Sequence, residues 1–180
     1  MAYEKNTVNT GKVTQVIPSD TISIPSPYLP ALDGTTTSVT ANKLVDSSAD
    51  FSNVQVGDIV YNDTVNDEAI ATVTAVDNAT TLSLSADIFT LASRNYKVFV
   101  GDPNGDTKIN SSQGCLLYVG SSTGSMSVSS SFINSIRVRT VSGDDVIFRN
   151  VPVGSTLPVQ VLQVYETDTS TVALRALAIW

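Results

Sequence analysis

Histidine is missing from all 180 residues. That absence excludes the Ser-His-Asp and Cys-His nucleophile systems and every His-containing zinc or iron site. Cysteine occurs once, as Cys115, so no intrachain disulfide or thiolate cluster can form and the fold has to stand on packing. No apolar run reaches the ~18–20 residues that cross a bilayer as a helix, and the opening stretch MAYEKNTVNTGK has neither a basic n-region nor an apolar h-region. A soluble chain without a membrane partner is expected. Positive charge is scarce: ten Lys and Arg stand against seventeen Asp and Glu, for a net charge of -7 and a pI near 4.3. A sequence-neutral grip on nucleic acid needs cations that displace counterions from phosphate, so nucleic acid is not an expected partner.

What the chain has in excess is Ser and Thr, about a quarter of all residues, and Thr with Val suits pleated, half-buried strands. No window of eleven residues holds the i, i+3, i+4, i+7 apolar spacing of a helix without Gly, Pro or a Ser/Thr cluster, whereas period-two alternation recurs throughout. An all-β fold is therefore predicted. Val13-Thr14-Gln15-Val16-Ile17 and Thr21-Ile22-Ser23-Ile24 read as strands flanking a turn at Pro18-Ser19-Asp20. Ser26-Pro27-Tyr28-Leu29-Pro30 marks a boundary, because proline cannot donate to a ladder. Beyond it, strands are predicted over 38–44, 58–61, 69–76, 81–85 and 96–100, with a hairpin between 69 and 85 turning at Asp77-Asn78-Ala79. One helical turn is conceivable over 86–93. A second polar break, Gly101-Asp102-Pro103-Asn104-Gly105-Asp106, precedes further strands over 115–119, 125–129, 135–141, 146–151, 158–165 and 172–179.

Several short motifs occur in order: Pro18-Ser19-Asp20-Thr21, Leu117-Tyr118-Val119-Gly120, Gly143-Asp144-Asp145-Val146, Asn150-Val151-Pro152-Val153-Gly154-Ser155-Thr156-Leu157-Pro158-Val159-Gln160-Val161, and a closing Ala176-Leu177-Ala178-Ile179-Trp180. In this order they resemble a group of small tailed-phage and gene-transfer-agent virion proteins, the head spike base and head decoration proteins. The resemblance covers about half the chain, 11–26 and 114–180. In the shorter relatives the two pieces are nearly contiguous, so the resemblance implies an inserted domain between them. The organisation expected is a flexible arm over 1–12, a terminal β-sandwich-like domain from 13–30 and 114–180, and an inserted small β-barrel over 31–113. The implied function is that of a virion structural subunit, assembled in the bacterial host cytoplasm. It would bind the major capsid protein or another virion protein as head decoration or spike base, as a homo-oligomer and with no enzymatic activity. The alternative is a carbohydrate- or host-surface-binding module at the tail or fibre, which exposed aromatic clusters would favour. The six tyrosines, Tyr3, Tyr28, Tyr61, Tyr96, Tyr118 and Tyr165, are scattered singly instead.

Candidate chemistry is sparse. Asp102, Asn104 and Asp106 share the 1, 3, 5 oxygen spacing of an EF-hand calcium loop, but Thr107 stands where that loop needs Gly and Gln113 where it needs a bidentate acid. A plain linker is the expected reading, and no metal or cofactor is assigned. The neighbouring carboxylates Asp67-Glu68 and Asp144-Asp145 sit in turn-like sequence and read as solvated charges. Without histidine or a Ser-x-x-Lys pair nothing activates a hydroxyl, so no catalytic residue is assigned. Cys115 opens an apolar strand and reads as core. The interface candidates are Arg137, Arg139, Arg149 and Trp180. In the predicted hairpin over 135–151, a loop of Gly143-Asp144-Asp145 would set Arg139 opposite Arg149 with Arg137 beside them, a cluster needing an acidic partner, either local carboxylates or a neighbouring protein.

Overall fold

The computed structural model describes residues 11–26, 29, 31–101, 114–121, 133–169 and 174–180. The fold is all-β, with two six-stranded antiparallel sheets, one of them half-barrel-like. The first sheet is built from both chain ends, in the order β1 (Val13–Gln15), β12 (Leu174–Ile179), β8 (Cys115–Ser121), β11 (Thr156–Val164), β9 (Ile133–Thr140), β10 (Asp145–Pro152). Pairing of Val13 with Ile179 joins the N-terminal segment to the C-terminal strand. The second sheet is continuous in sequence, in the order β2 (Ala31–Thr35), β7 (Asn95–Phe99), β4 (Ile59–Asn62), β5 (Ala69–Asn78), β6 (Thr81–Leu84), β3 (Lys43–Val45).

Alternation decides what each sheet buries. In β8, Cys115, Leu117 and Val119 point into a core with Ile136 and Val138 of β9 and Ala176 and Ala178 of β12. Two register shifts in β11, between Thr156 and Gln160 and between Val161 and Gln163, bend that strand so that the neighbours on its two sides share the core. Gly120 is the narrow point of this sheet: a Cβ there would meet the Arg175 carbonyl at 2.3 Å, so only glycine admits β12 so close. In the second sheet Leu44, Val60, Ala71, Val73, Leu82 and Val98 form the inner face, with Phe51 and Phe89 packed from loops. The Tyr96 hydroxyl donates to Asp46 at 2.8 Å and the Thr37 N–H donates to the Val45 carbonyl at 2.9 Å, which draws the edge carrying β3 towards the edge carrying β2.

The outer face of the second sheet meets the first. Ile22, Ile59, Tyr61 and Phe99 are buried together, with Ile17, Leu29 and Ile70 against them, and Tyr61 and Phe99 meet edge to face at 5.1 Å. Arg175 on β12 reaches across to Glu68 at 3.1 Å. Burying an aliphatic or aromatic side chain contributes about 1.5–3 kcal/mol, against ~1 kcal/mol or less for a partly exposed ion pair. The apolar cluster therefore dominates the contact between the sheets.

Several expectations need correction. Residues 21–24 form no ladder strand: the Ser19 hydroxyl accepts the N–H groups of Thr21 and Ile22, tying the segment into a turn before Pro25 can be reached. Of the strand predicted over 38–44 only the end forms, as part of β3, and β2 lies ahead of it, because 38–42 is exposed and offers no large buried apolar side chain while Leu32 and Leu44 supply apolar anchors. Residues 86–93 contain no helical turn, since Ile88 and Phe89 are drawn into the core. The hairpin β5–β6 forms as predicted, turning one residue later at Ala79-Thr80. The strand expected over 125–129, the arm residues 1–10 and the loop residues Asp102, Asn104 and Asp106 lie outside the described residues. Gly11 and Lys12, expected to belong to the arm, are hydrogen-bonded to Trp180.

Candidate functional site

Three of the four interface candidates, Arg137, Arg139 and Arg149, lie on the β9–β10 hairpin, in a register that differs from the expected one. Asp145 pairs with Arg139, Val146 with Val138, Ile147 with Arg137 and Phe148 with Ile136. The loop is odd-numbered, as predicted, but consists of Val141-Ser142-Gly143, not Gly143-Asp144-Asp145. The cause is local. The Gly143 N–H and the Asp144 N–H converge on the carbonyl and hydroxyl of Thr140, and Gly143 takes the positive φ of 88° that the turn needs. An even displacement of register keeps every side chain on its predicted face while changing its partner. Arg139 therefore faces a carboxylate instead of Arg149.

Around that pair lies a polar cluster at one end of the first sheet. The Arg139 Nε donates to Asp145 Oδ1 at 3.1 Å, Arg137 lies 3.8 Å from Asp145 Oδ2, and its other nitrogen lies 3.6 Å from Asp168. Tyr165, only 6 % exposed, donates its hydroxyl to Asp145 at 2.8 Å. The two guanidinium carbons sit 4.5 and 5.6 Å from its ring centroid, within cation–π range. The Arg139 hydrogen bond, then that of Tyr165, holds the Asp145 carboxyl below the usual carboxylate range, while burial and then the Asp145 contact push the Tyr165 phenol up. Beside this, Asp20 accepts the Thr167 N–H at 3.0 Å and its hydroxyl at 2.6 Å, which lowers the Asp20 carboxyl, and Thr169 accepts the Arg137 N–H at 3.0 Å.

Thus Pro18-Ser19-Asp20-Thr21 and Gly143-Asp144-Asp145-Val146 are brought to one end of the same sheet, bridged by residues 165–169. Sequence reading missed Tyr165, Asp168 and the Asp20–Thr167 link, because partners 20, 31 and 147 residues apart leave no local spacing to find. Arg149 is exposed on β10, beside a bulge where Asn150 takes a φ of 60°. Trp180 packs half-buried against the first core, its N–H donated to the Lys12 carbonyl at 3.1 Å. It is part of the first sheet's packing and stands apart from the arginine cluster.

A cleft of about 480 Å³ lies where the sheets meet, between Lys12, Val13 and Thr14 on one side and Ala31, Asp33 and Lys97 on the other. Lys97 pairs with Asp33 at 3.6 Å, and both line the cleft together with Lys12 and Thr14. Among the described residues no three potential ligands gather to hold a metal ion. Burial pushes the Cys115 thiol up to about 12, which keeps it protonated and unreactive. Tyr61, Tyr96 and Tyr165 are buried and Tyr118 is half-buried, so the described tyrosines offer no stacking platform for a sugar. What the arrangement offers is an exposed strand edge, an arginine–carboxylate cluster and a cleft lined by Lys12, Asp33 and Lys97. No family model, no curated protein and no solved structure matches the chain.

Proposed function

We propose that the chain is a structural subunit of a tailed-phage virion that binds the capsid surface as head decoration or as the base of a head spike. In this reading residues 13–30 and 114–180 form a terminal sandwich-like domain and residues 31–113 an inserted small barrel. The observation that carries it is the placement of the resembling motifs. They lie in two stretches nearly ninety residues apart in sequence, yet pair into one sheet through β1 and β12, while β2 and β7, the first and last strands between them, pair with each other at Ala31 and Phe99. An insertion is tolerated where its ends lie together on a surface.

Such a subunit acts by surface complementarity and performs no reaction. Its partner is the major capsid protein or another virion protein, and its place is the particle assembled in the host cytoplasm. The test is co-sedimentation of the purified chain with capsids that lack it. Saturable binding at a fixed ratio to the shell protein is the expected outcome. Capsids that pellet without it at near-millimolar chain concentration would overturn the proposal.

A further inference from the structure

β10 is an edge of the first sheet, and its outer side is unpaired among the described residues. The phase of its hydrogen bonds shows which groups face that side. The Thr140 N–H donates to the Asp144 carbonyl at 2.9 Å, so 140/144, 138/146 and 136/148 are the hydrogen-bonded pairs of the hairpin. Arg137, between them, spends its main chain on Tyr165 and Thr169, on the side away from β10. Asp145, Ile147 and Arg149 therefore turn their N–H and C=O groups to the open edge.

Read against its own copy in antiparallel sense about Ile147, this edge is self-complementary. Asp145 falls opposite Arg149, Val146 opposite Phe148 and Ile147 opposite Ile147, and the outward-facing residues are the ones that would exchange hydrogen bonds. We infer that β10 is a homodimerisation edge, pairing with β10 of a second copy across a two-fold axis at Ile147. On one face Asp145 would lie between its own Arg139 and the second copy's Arg149, giving an alternating Arg–Asp–Arg row in place of an unmatched Arg149. On the other face Val146, 37 % exposed, and half-buried Phe148 would continue the apolar row begun by Val138 and Ile136. The bulge and the left-handed Asn150 end the flat stretch just past Arg149, so five residues per copy pair. Bulges close off edges to indiscriminate pairing, and this one fixes the register.

Five paired residues bury less than the roughly 1,200–2,000 Å² of a stable interface, so the dimer is concentration-dependent. This inference rests on the reading of the chain as an assembling subunit. Sedimentation reads the pairing alone and capsid binding reads the proposed function, so the two fail separately. In sedimentation equilibrium the full chain is expected to move from monomer at micromolar concentration to about twice its 19.0 kDa towards millimolar concentration. Arg149→Glu, which sets two acids opposite each other, is expected to remain monomeric with an unchanged melting temperature. Ile147 alone meets itself across the axis, so mild oxidation of Ile147→Cys is expected to give a disulfide-linked dimer, and Ser142→Cys at the loop tip none. A wild-type chain that stays monomeric, an Arg149→Glu chain that dimerises as wild type does, or equal crosslinking at positions 142 and 147 would each overturn the inference.

Discussion

Two residues carry consequences out of proportion to their size. Gly120 allows β8 and β12 to approach at Arg175, and the same Arg175 reaches Glu68 on the second sheet. Gly120→Ala puts a methyl 2.3 Å from a backbone oxygen that cannot swing aside, so a loss of about 1–3 kcal/mol is expected in urea unfolding. Asp145 gathers Arg139, Arg137 and Tyr165, and its carboxyl is held below its unfolded value. A depressed folded pKa means the stabilisation is present above the unfolded carboxylate range and is lost as pH falls through the folded value. Asp145→Asn should therefore melt below wild type at pH 7, with the gap closing beneath pH ~3.8, as read by melting curves across pH. Of this cluster, sequence reading found the two arginines and the nearby acids but paired them wrongly. Nothing in Ser142-Gly143-Asp144-Asp145 says which three residues turn, because that choice rests on the Thr140 hydroxyl and carbonyl.

At the scale of elements, legibility followed apolar content. The hairpin β5–β6 and the strands around Leu117, Ile136 and Val161 were readable from alternation, since each puts apolar side chains on one face. Strands β2 and β3 were not: Ala-Leu-Asp-Gly-Thr has a single large apolar residue, and the chain around 38–42 alternates without packing anything. The clasp at the end of the β4–β7 ladder was equally invisible, because it is made by one buried side chain. Asp58, fully buried, accepts the Gln55 N–H at 2.8 Å and the Gly101 N–H at 2.9 Å, clasping the point where the chain leaves the second sheet. Asp58→Ala leaves two amides without their acceptor. A cost of about 2–5 kcal/mol is expected, with amide exchange quickening first at 55 and 101.

For the whole molecule, the two sheets are joined by an apolar contact that local alternation alone does not predict, since it gathers Ile22 from a turn, Ile59 and Tyr61 from β4 and Phe99 from β7. Phe99→Ala is expected to cost about 3–5 kcal/mol, while Glu68→Gln, which weakens the Arg175 pair at the same junction, should cost ~1 kcal/mol or less. Chemical denaturation of both variants checks the ranking, and equal costs would make the junction electrostatic. The proline and glycine breaks at 26–30 and 101–106 fall between the strands of the two sheets, and the proposed function treats the flanking motifs as one body. The measurement that bears most directly on that proposal is a reconstruction of the assembled particle at a resolution that separates strands. The account predicts density for both sheets on the outside of the capsid shell, at a fixed copy number. Purified particles that assemble fully and contain no such density and none of the chain would contradict it.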